Sequence, residues 1–288
     1  MKKAGTFLRL MRVRHYVKNL LVFAALGCSG LLFRPDRLTA ALAGFAAFCA
    51  VSSAVYIVND LRDREKDRLH PVKRNRPIAS GEVFPGSAKV LAGALLLAAA
   101  FFAGLTGHPR SGVLPALYFA LNTAYSLGLN NWPLADVAIL SSGFLIRVAY
   151  GAVVAGVELS GWLYLVITTL ALYLALGKRR NELARTGGEA RNVLRYYSLA
   201  FLDKNMYMSL TLTNAFYALW CMDGLTSSRY GVSPLFTVPV VLLITMRYSM
   251  DVEGDSDGDP VEVLLHDRLL LVLCLIYFAC MFTILYVL

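Results

Sequence analysis

Asn59-Asp60-Leu61-Arg62-Asp63-Arg64-Glu65-Lys66-Asp67 stands where an apolar stretch, residues 38–58, gives way abruptly to charge. On a continuing helix Asp60, Asp63 and Asp67 fall at i, i+3 and i+7, within about 60° of one another. Asn59, Asp63 and Asp67 make an overlapping row at i, i+4 and i+8. Several oxygen donors therefore project from one helical face. Carboxylates this close repel one another, and a hard cation relieves the repulsion. Mg²⁺ takes one or two carboxylates together with waters and phosphate oxygens. The plain alternative is a solvated helix laced with Arg62, Arg64, Lys66 and Arg68. The Asp spacing, at the mouth of an apolar span, favours the metal–diphosphate reading.

Working outward, the setting is a membrane. The 288 residues are 57% hydrophobic and only 16% charged, against about 25% charged in an ordinary soluble domain. Mean hydropathy is +0.57. A crossing helix needs roughly 20 apolar residues, and nine stretches answer to that description: 17–33, 38–58, 88–106, 112–128, 135–155, 160–177, 205–223, 233–250 and 269–288. The first and fourth are short, as tilted or broken helices would be. The basic N-terminus is followed by no convincing small-residue cleavage site, so the first stretch reads as a retained helix. With the N-terminus inside, 23 of the 28 Lys and Arg fall on the cytoplasmic side, as the positive-inside rule requires. Sixteen of the 19 acidic residues share that side, a sidedness the rule does not use. The chain is expected to be one all-α domain, 1–288, in the bacterial inner (plasma) membrane. Its polar chemistry lies on the cytoplasmic face.

The net charge of +9 suits anionic headgroups and phosphorylated substrates. No nucleic-acid motif accompanies it, so no nucleic acid is expected as partner. The sequence leaves a homo-oligomer open. Cys28, Cys49, Cys221, Cys274 and Cys280 lie in apolar stretches without a CxxC pair, and read as buried hydrophobes.

Just past the acids, His70-Pro71-Val72-Lys73-Arg74-Asn75-Arg76-Pro77 delivers three cations in a proline-bounded loop. Arg suits bidentate phosphate contact; a loop that merely sets topology is the alternative for each. The run Asn-Asp-xx-Asp-xxx-Asp with Lys73-Arg74-Asn75-Arg76-Pro77-Ile78-Ala79-Ser80-Gly81 resembles the first signature of the UbiA-type prenyltransferases. Those are nine-helix membrane enzymes with a pocket open to the cytoplasm. The resemblance implies nine transmembrane helices around a central cavity. It also implies Asp60, Asp63 and Asp67 as Mg²⁺ ligands, with Asn59 in support.

A second Asp-xxx-Asp, usual in that family after the fourth helix, is incomplete. Here Tyr125-Ser126 and Asp136 are present, but Leu140 stands where the second Asp is expected and Asn130 where a Lys is often seen. Asp136 is read as catalytic, holding a metal or a substrate hydroxyl; a helix-start carboxylate is the alternative. Arg147 lies on the same helical face, about 16 Å deeper. An intramembrane Arg is functional or paired, and the sequence names no partner for it. Tyr118, Asn122, Tyr125 and Ser126 form a polar stripe that either lines a cavity or joins helices.

Three further runs complete the resemblance. They are Gly177-Lys178-Arg179-Arg180-Asn181-Glu182, Phe144–Gly151, and Asp259-Pro260-Val261-Glu262-Val263-Leu264-Leu265-His266-Asp267-Arg268. With Arg14-His15-Tyr16 and Lys18-Asn19 they are similar to the decaprenyl-phosphate phosphoribosyltransferase branch. That branch joins phosphoribosyl diphosphate to a polyprenyl phosphate lipid, serving cell-wall arabinan synthesis. Lys18, Asn59, Lys73, Arg74, Arg76, Tyr125, Arg147, Lys178 and Arg179 are the implied substrate contacts. Two readings stay open beside it: a UbiA-type enzyme moving a prenyl group to an aromatic acceptor, and a transporter or lipid carrier. The acidic run 251–267 does not match an EF-hand.

Overall fold

The protein is described here as a computed structural model covering residues 2–189, 191–224, 226, 233–254 and 260–288. Asp255, Asp257, Asp259 and Arg229 lie outside the described residues, so the middle of the acidic run named above does too. Among the described residues the structure is all-helical, with no strand.

Helix α1 is Lys2–Met11, followed by a 3₁₀ segment Val13–Phe23 and the short α2, Ala24–Cys28. Then come α3 Pro35–Arg62, α4 Arg64–Leu69, α5 Pro85–Leu105 and α6 Val113–Leu127. Next are α7 Ala135–Ala155, α8 Gly161–Thr186 and α9 Leu199–Met222. The chain ends with α10 Val238–Glu253, α11 Pro260–His266 and α12 Arg268–Tyr286. Among the described residues six helices are long and apolar enough to cross a membrane: α3, α5, α7, α8, α12 and the one comprising α10 with its leading turn. The expected first span is not one helix; its chain runs as 3₁₀ and then a single α turn and a half. Helix α6 has 15 residues, below the usual crossing length. Helix α9 is long but carries Asp203, Lys204, Asn205 and Asn214, and is not among the six.

The chain divides into two compact units. The first is Met1–Leu129 with Ile146–Glu158, and the second is Asn130–Leu145 with Leu159–Leu288. In the first, α3 is the buried centre. Its run of Ala, Gly and Ser lets neighbours approach closely, and Ala47, Phe48, Val51 and Val55 pack with Val22, Tyr118, Ile146 and Tyr150. A smaller cluster joins Leu10, Ile57, Ile78, Val83 and Ala88, which seats the loop after α4. In the second unit Tyr173, Leu176, Val193, Leu194, Leu202 and Met206 form the core around Val137. Ser160 and Ser198 cap α8 and α9 by accepting the backbone N–H of Leu163 and Phe201. Asp267 does the same for α12. The five cysteines form no disulfide with one another.

Candidate functional site

The acids sit at the end of α3, but not on one continuous helix. The helix stops at Arg62, Asp63 (φ −85°, ψ 4°) caps it, and α4 starts afresh at Arg64. The helical row expected for Asp60, Asp63 and Asp67 is therefore broken. Asp63 is exposed at the joint, while Asp60 and Asp67 are 2% and 4% exposed.

Two arginines hold the buried pair. Arg76 Nη1 donates to Asp60 Oδ1 at 3.1 Å and to Asp67 Oδ2 at 2.7 Å. Arg12 Nη2 donates to Asp60 Oδ1 at 2.6 Å, and its guanidinium lies 4.7 Å from the Tyr56 ring centre. Arg12 has left-handed backbone (φ 52°) at the turn between α1 and the 3₁₀ segment. The N-terminal segment is fastened there: Ser53 Oγ donates to the Met11 carbonyl, and Arg9 pairs with Glu82. Arg76 leaves a 3₁₀ turn, Lys73–Asn75, and Ile78 behind it is fully buried. The left-handed Gly81 (φ 82°) then turns the chain into α5. Asn59 accepts a hydrogen bond from Ser126. Lys73 is half-buried and Arg74 exposed.

Whether a divalent cation suits this place can be judged from the donors. One nitrogen of Arg76 is within hydrogen-bond distance of oxygens from both buried carboxylates, so the two acids already converge on a single positive centre. The donors are hard oxygens, and two carboxylates are what Mg²⁺ takes when phosphate and water complete its shell. Among the described residues no three His, Cys, Asp or Glu side chains converge as a ready-made metal group. The residues thus fit an open, phosphate-completed site rather than a closed protein cage.

Arg147 is 4% exposed and has the partners the sequence could not name. Its Nε donates to Asn19 Oδ1 at 2.8 Å and its Nη2 to the Tyr118 hydroxyl at 3.1 Å. The rings of Phe48 and Tyr118 lie 5.0 and 4.9 Å from its guanidinium carbon. Asn19 in turn donates to Ser52 Oγ and Cys49 Sγ. Tyr118 and Ser126 of the polar stripe therefore join helices. Arg147 is thus a buried tie between the 3₁₀ segment, α6 and its own helix α7. Lys18, on the same 3₁₀ segment as Asn19, and Tyr125 at the end of α6 are half-buried.

Asp136 opens α7 in the second unit and is fully buried. Arg179 Nε donates to its Oδ2 at 2.6 Å and the Tyr197 hydroxyl to its Oδ1 at 2.6 Å. Arg179 is itself 1% exposed and also pairs with Glu182, which Arg191 bonds from the other side. Asp136 and Arg179 are each other's counter-ions, both removed from water. Burial, and then the Asp136 carboxylate accepting its proton, push the Tyr197 hydroxyl up to about 12. Lys178 is half-buried. Arg12 and Tyr197 were missed from sequence, since no local spacing links them to partners 48 and 61 residues away.

A family model for the UbiA prenyltransferase family matches residues 20–258, and the chain belongs to that family. It is a multi-pass helical membrane protein. It is 36% identical to the decaprenyl-phosphate phosphoribosyltransferase of Corynebacterium glutamicum, over 99% of this chain and 88% of that one. It is also 36% identical to the one of Mycobacterium tuberculosis, over 94% and 91%. A UbiA homologue from Archaeoglobus fulgidus, solved bound to GPP and Mg²⁺, shares the fold. Its TM-score is 0.73 at 18% identity, covering 97% of this chain and 99% of that one.

Proposed function

We propose that this chain transfers the 5-phosphoribosyl group from phosphoribosyl diphosphate to a polyprenyl (decaprenyl) phosphate, releasing diphosphate, in the supply of cell-wall arabinan. The observation that carries the reading is the match, at 36% identity along nearly the whole chain, to decaprenyl-phosphate phosphoribosyltransferases. The acid pair flanked by Arg12 and Arg76 supports it.

Asp60 and Asp67 would hold Mg²⁺, with Asp63 the third, exposed carboxylate of the motif and Asn59 orienting the end of α3. When bound, the metal offers a positive centre that stabilises the departing diphosphate. Arg76, Lys73 and Arg74 take phosphate oxygens in the first unit; Lys178 is the phosphate-binding cation of the second. Lys18 and Tyr125 are further substrate contacts. Arg147 and the Asp136–Arg179 pair position helices. In the reaction the C1–O bond to diphosphate breaks while the ribose ring gains oxocarbenium character. An oxygen of the lipid phosphate forms the new C1–O bond from the opposite face, with inversion. That oxygen is anionic at neutral pH, since a phosphate monoester has its second pKa near about 6, so no side chain has to remove a proton. Nine passes through the inner membrane, around a central cavity open to the cytoplasm, suit this chemistry. The donor is water-soluble and the acceptor is anchored in lipid.

The test is a transfer assay with radiolabelled phosphoribosyl diphosphate, polyprenyl phosphate and Mg²⁺ on the detergent-solubilised chain. Labelled lipid should form with wild type and fall at least about a hundredfold with Asp67→Asn, as for loss of a transition-state charge partner. Well-folded wild type that makes no labelled lipid, yet prenylates an aromatic acceptor from a prenyl diphosphate, would replace this reading with the prenyltransferase one.

A further inference from the structure

We infer that Arg76 is an exchangeable counter-ion: its guanidinium lies between Asp60 and Asp67, and metal binding to those oxygens requires it to leave. This rests on the proposed metal–diphosphate reading of the acid face and goes beyond it, because it makes Arg76 a competitor of the metal as well as a phosphate ligand.

Three observations carry it. One nitrogen, Nη1, bridges the two carboxylates, at 3.1 and 2.7 Å. A hard divalent cation and that nitrogen want the same oxygens, and cannot both have them without adding charge to charge. The acids are nearly inaccessible, with side chains 3% and 5% exposed, whereas the Arg76 side chain is 28% exposed. An arriving ion therefore meets the guanidinium before it meets the carboxylates.

The backbone around Arg76 is fixed independently of its side chain. Its N–H donates to the Lys73 carbonyl, its carbonyl accepts from Ser80, and Pro77, Ile78 and Ala79 are buried. The guanidinium can swing away by side-chain rotation while the loop stays seated. Arg12 differs: of the two acids it pairs with Asp60, it lies over the Tyr56 ring, and it sits at a tethered turn. It stays as fixed charge. A diphosphate arriving with the metal gives the displaced guanidinium new oxygens to bond, so metal and diphosphate bind better together than apart.

The experiment uses Mn²⁺ alone, with no phosphate, on the purified full chain, following free Mn²⁺ by electron paramagnetic resonance. Wild type should bind weakly. R76Q should bind roughly tenfold tighter, inside the ~5–150-fold span typical of coupled sites. R76K should remain near wild type, and D67N added to R76Q should abolish the gain. R12Q, which frees one acid, should gain less than R76Q. A second readout needs no variant: Mn²⁺ should raise phenylglyoxal labelling of Arg76 in wild type, read by mass spectrometry. Unchanged or weaker Mn²⁺ affinity in R76Q with a wild-type melting temperature would overturn the exchange and leave the metal site standing. So would labelling of Arg76 that Mn²⁺ does not move. Failure of every form to bind Mn²⁺ would sink both.

Discussion

At Asp136 a single carboxylate decides the local electrostatics of the second unit. It is fully buried and accepts from Arg179 and Tyr197. Taking one partner from a buried ion pair costs up to roughly 3–5 kcal/mol, a cost that the second partner of Arg179, Glu182, reduces. Asp136→Asn should therefore lower the melting temperature in detergent sharply. Intact stability with lost transfer would instead restore Asp136 to the chemistry. Tyr197 adds a pH signature. Its hydroxyl is pushed from 10.0 to about 12 in the folded chain, so the folded state keeps the proton that the unfolded state has released. The contribution is complete below pH 10 and lost as pH rises from there through about 12. Melting curves between pH 8 and 12 should show an alkaline loss of stability that is smaller in Tyr197→Phe.

At the scale of elements, α7 approaches the 3₁₀ segment closely at Gly151. A Cβ on Gly151 would stand 1.8 Å from the Val22 carbonyl oxygen and 2.6 Å from its carbon. Both are backbone atoms, so the segment itself would have to retreat. Asn19, three residues earlier, would move with it and loosen from Arg147. Gly151→Ala should cost about 1–3 kcal/mol, the usual range for overpacking, measured as a drop in melting temperature; no drop would mean the two elements do not meet this closely. The break between α3 and α4 is the other element-scale device. Asp63 ends one helix and begins the next, and Asp60 and Asp67 reach the same guanidinium across that joint.

For the whole molecule the number of passes is the open quantity that a simple test decides. Six helices among the described residues meet the length and apolarity needed for crossing. Nine passes, with the 3₁₀ segment and α2, α6 and α9 completing the count, are the proposal. An odd number puts the two ends of the chain on opposite sides; an even number puts them on the same side. A fluorescent protein at the N-terminus should glow in the cytoplasm, and alkaline phosphatase fused after Leu288 should be active outside. Phosphatase activity absent from the outer side would reject nine passes.

From sequence alone the membrane class, the helical fold and the acid motif were legible, because each depends on local order. Apolar run length sets what a bilayer accepts, and the chain's own sequence places Asn59, Asp60, Asp67 and Arg76 within two turns and a loop. The cost of charge in hydrocarbon likewise marked Arg147 as significant. Tertiary structure alone decided the pairings. Arg12 meets Asp60 across 48 residues, Arg179 meets Asp136 across 43 and Arg147 meets Asn19 across 128. Ion pairs and hydrogen bonds are set by distance through space, and spacing along the chain carries no record of it. Burial then separated acids of identical chemistry. Asp60 and Asp67 face an exchangeable arginine, Asp63 faces water, and Asp136 is neutralised inside the second unit.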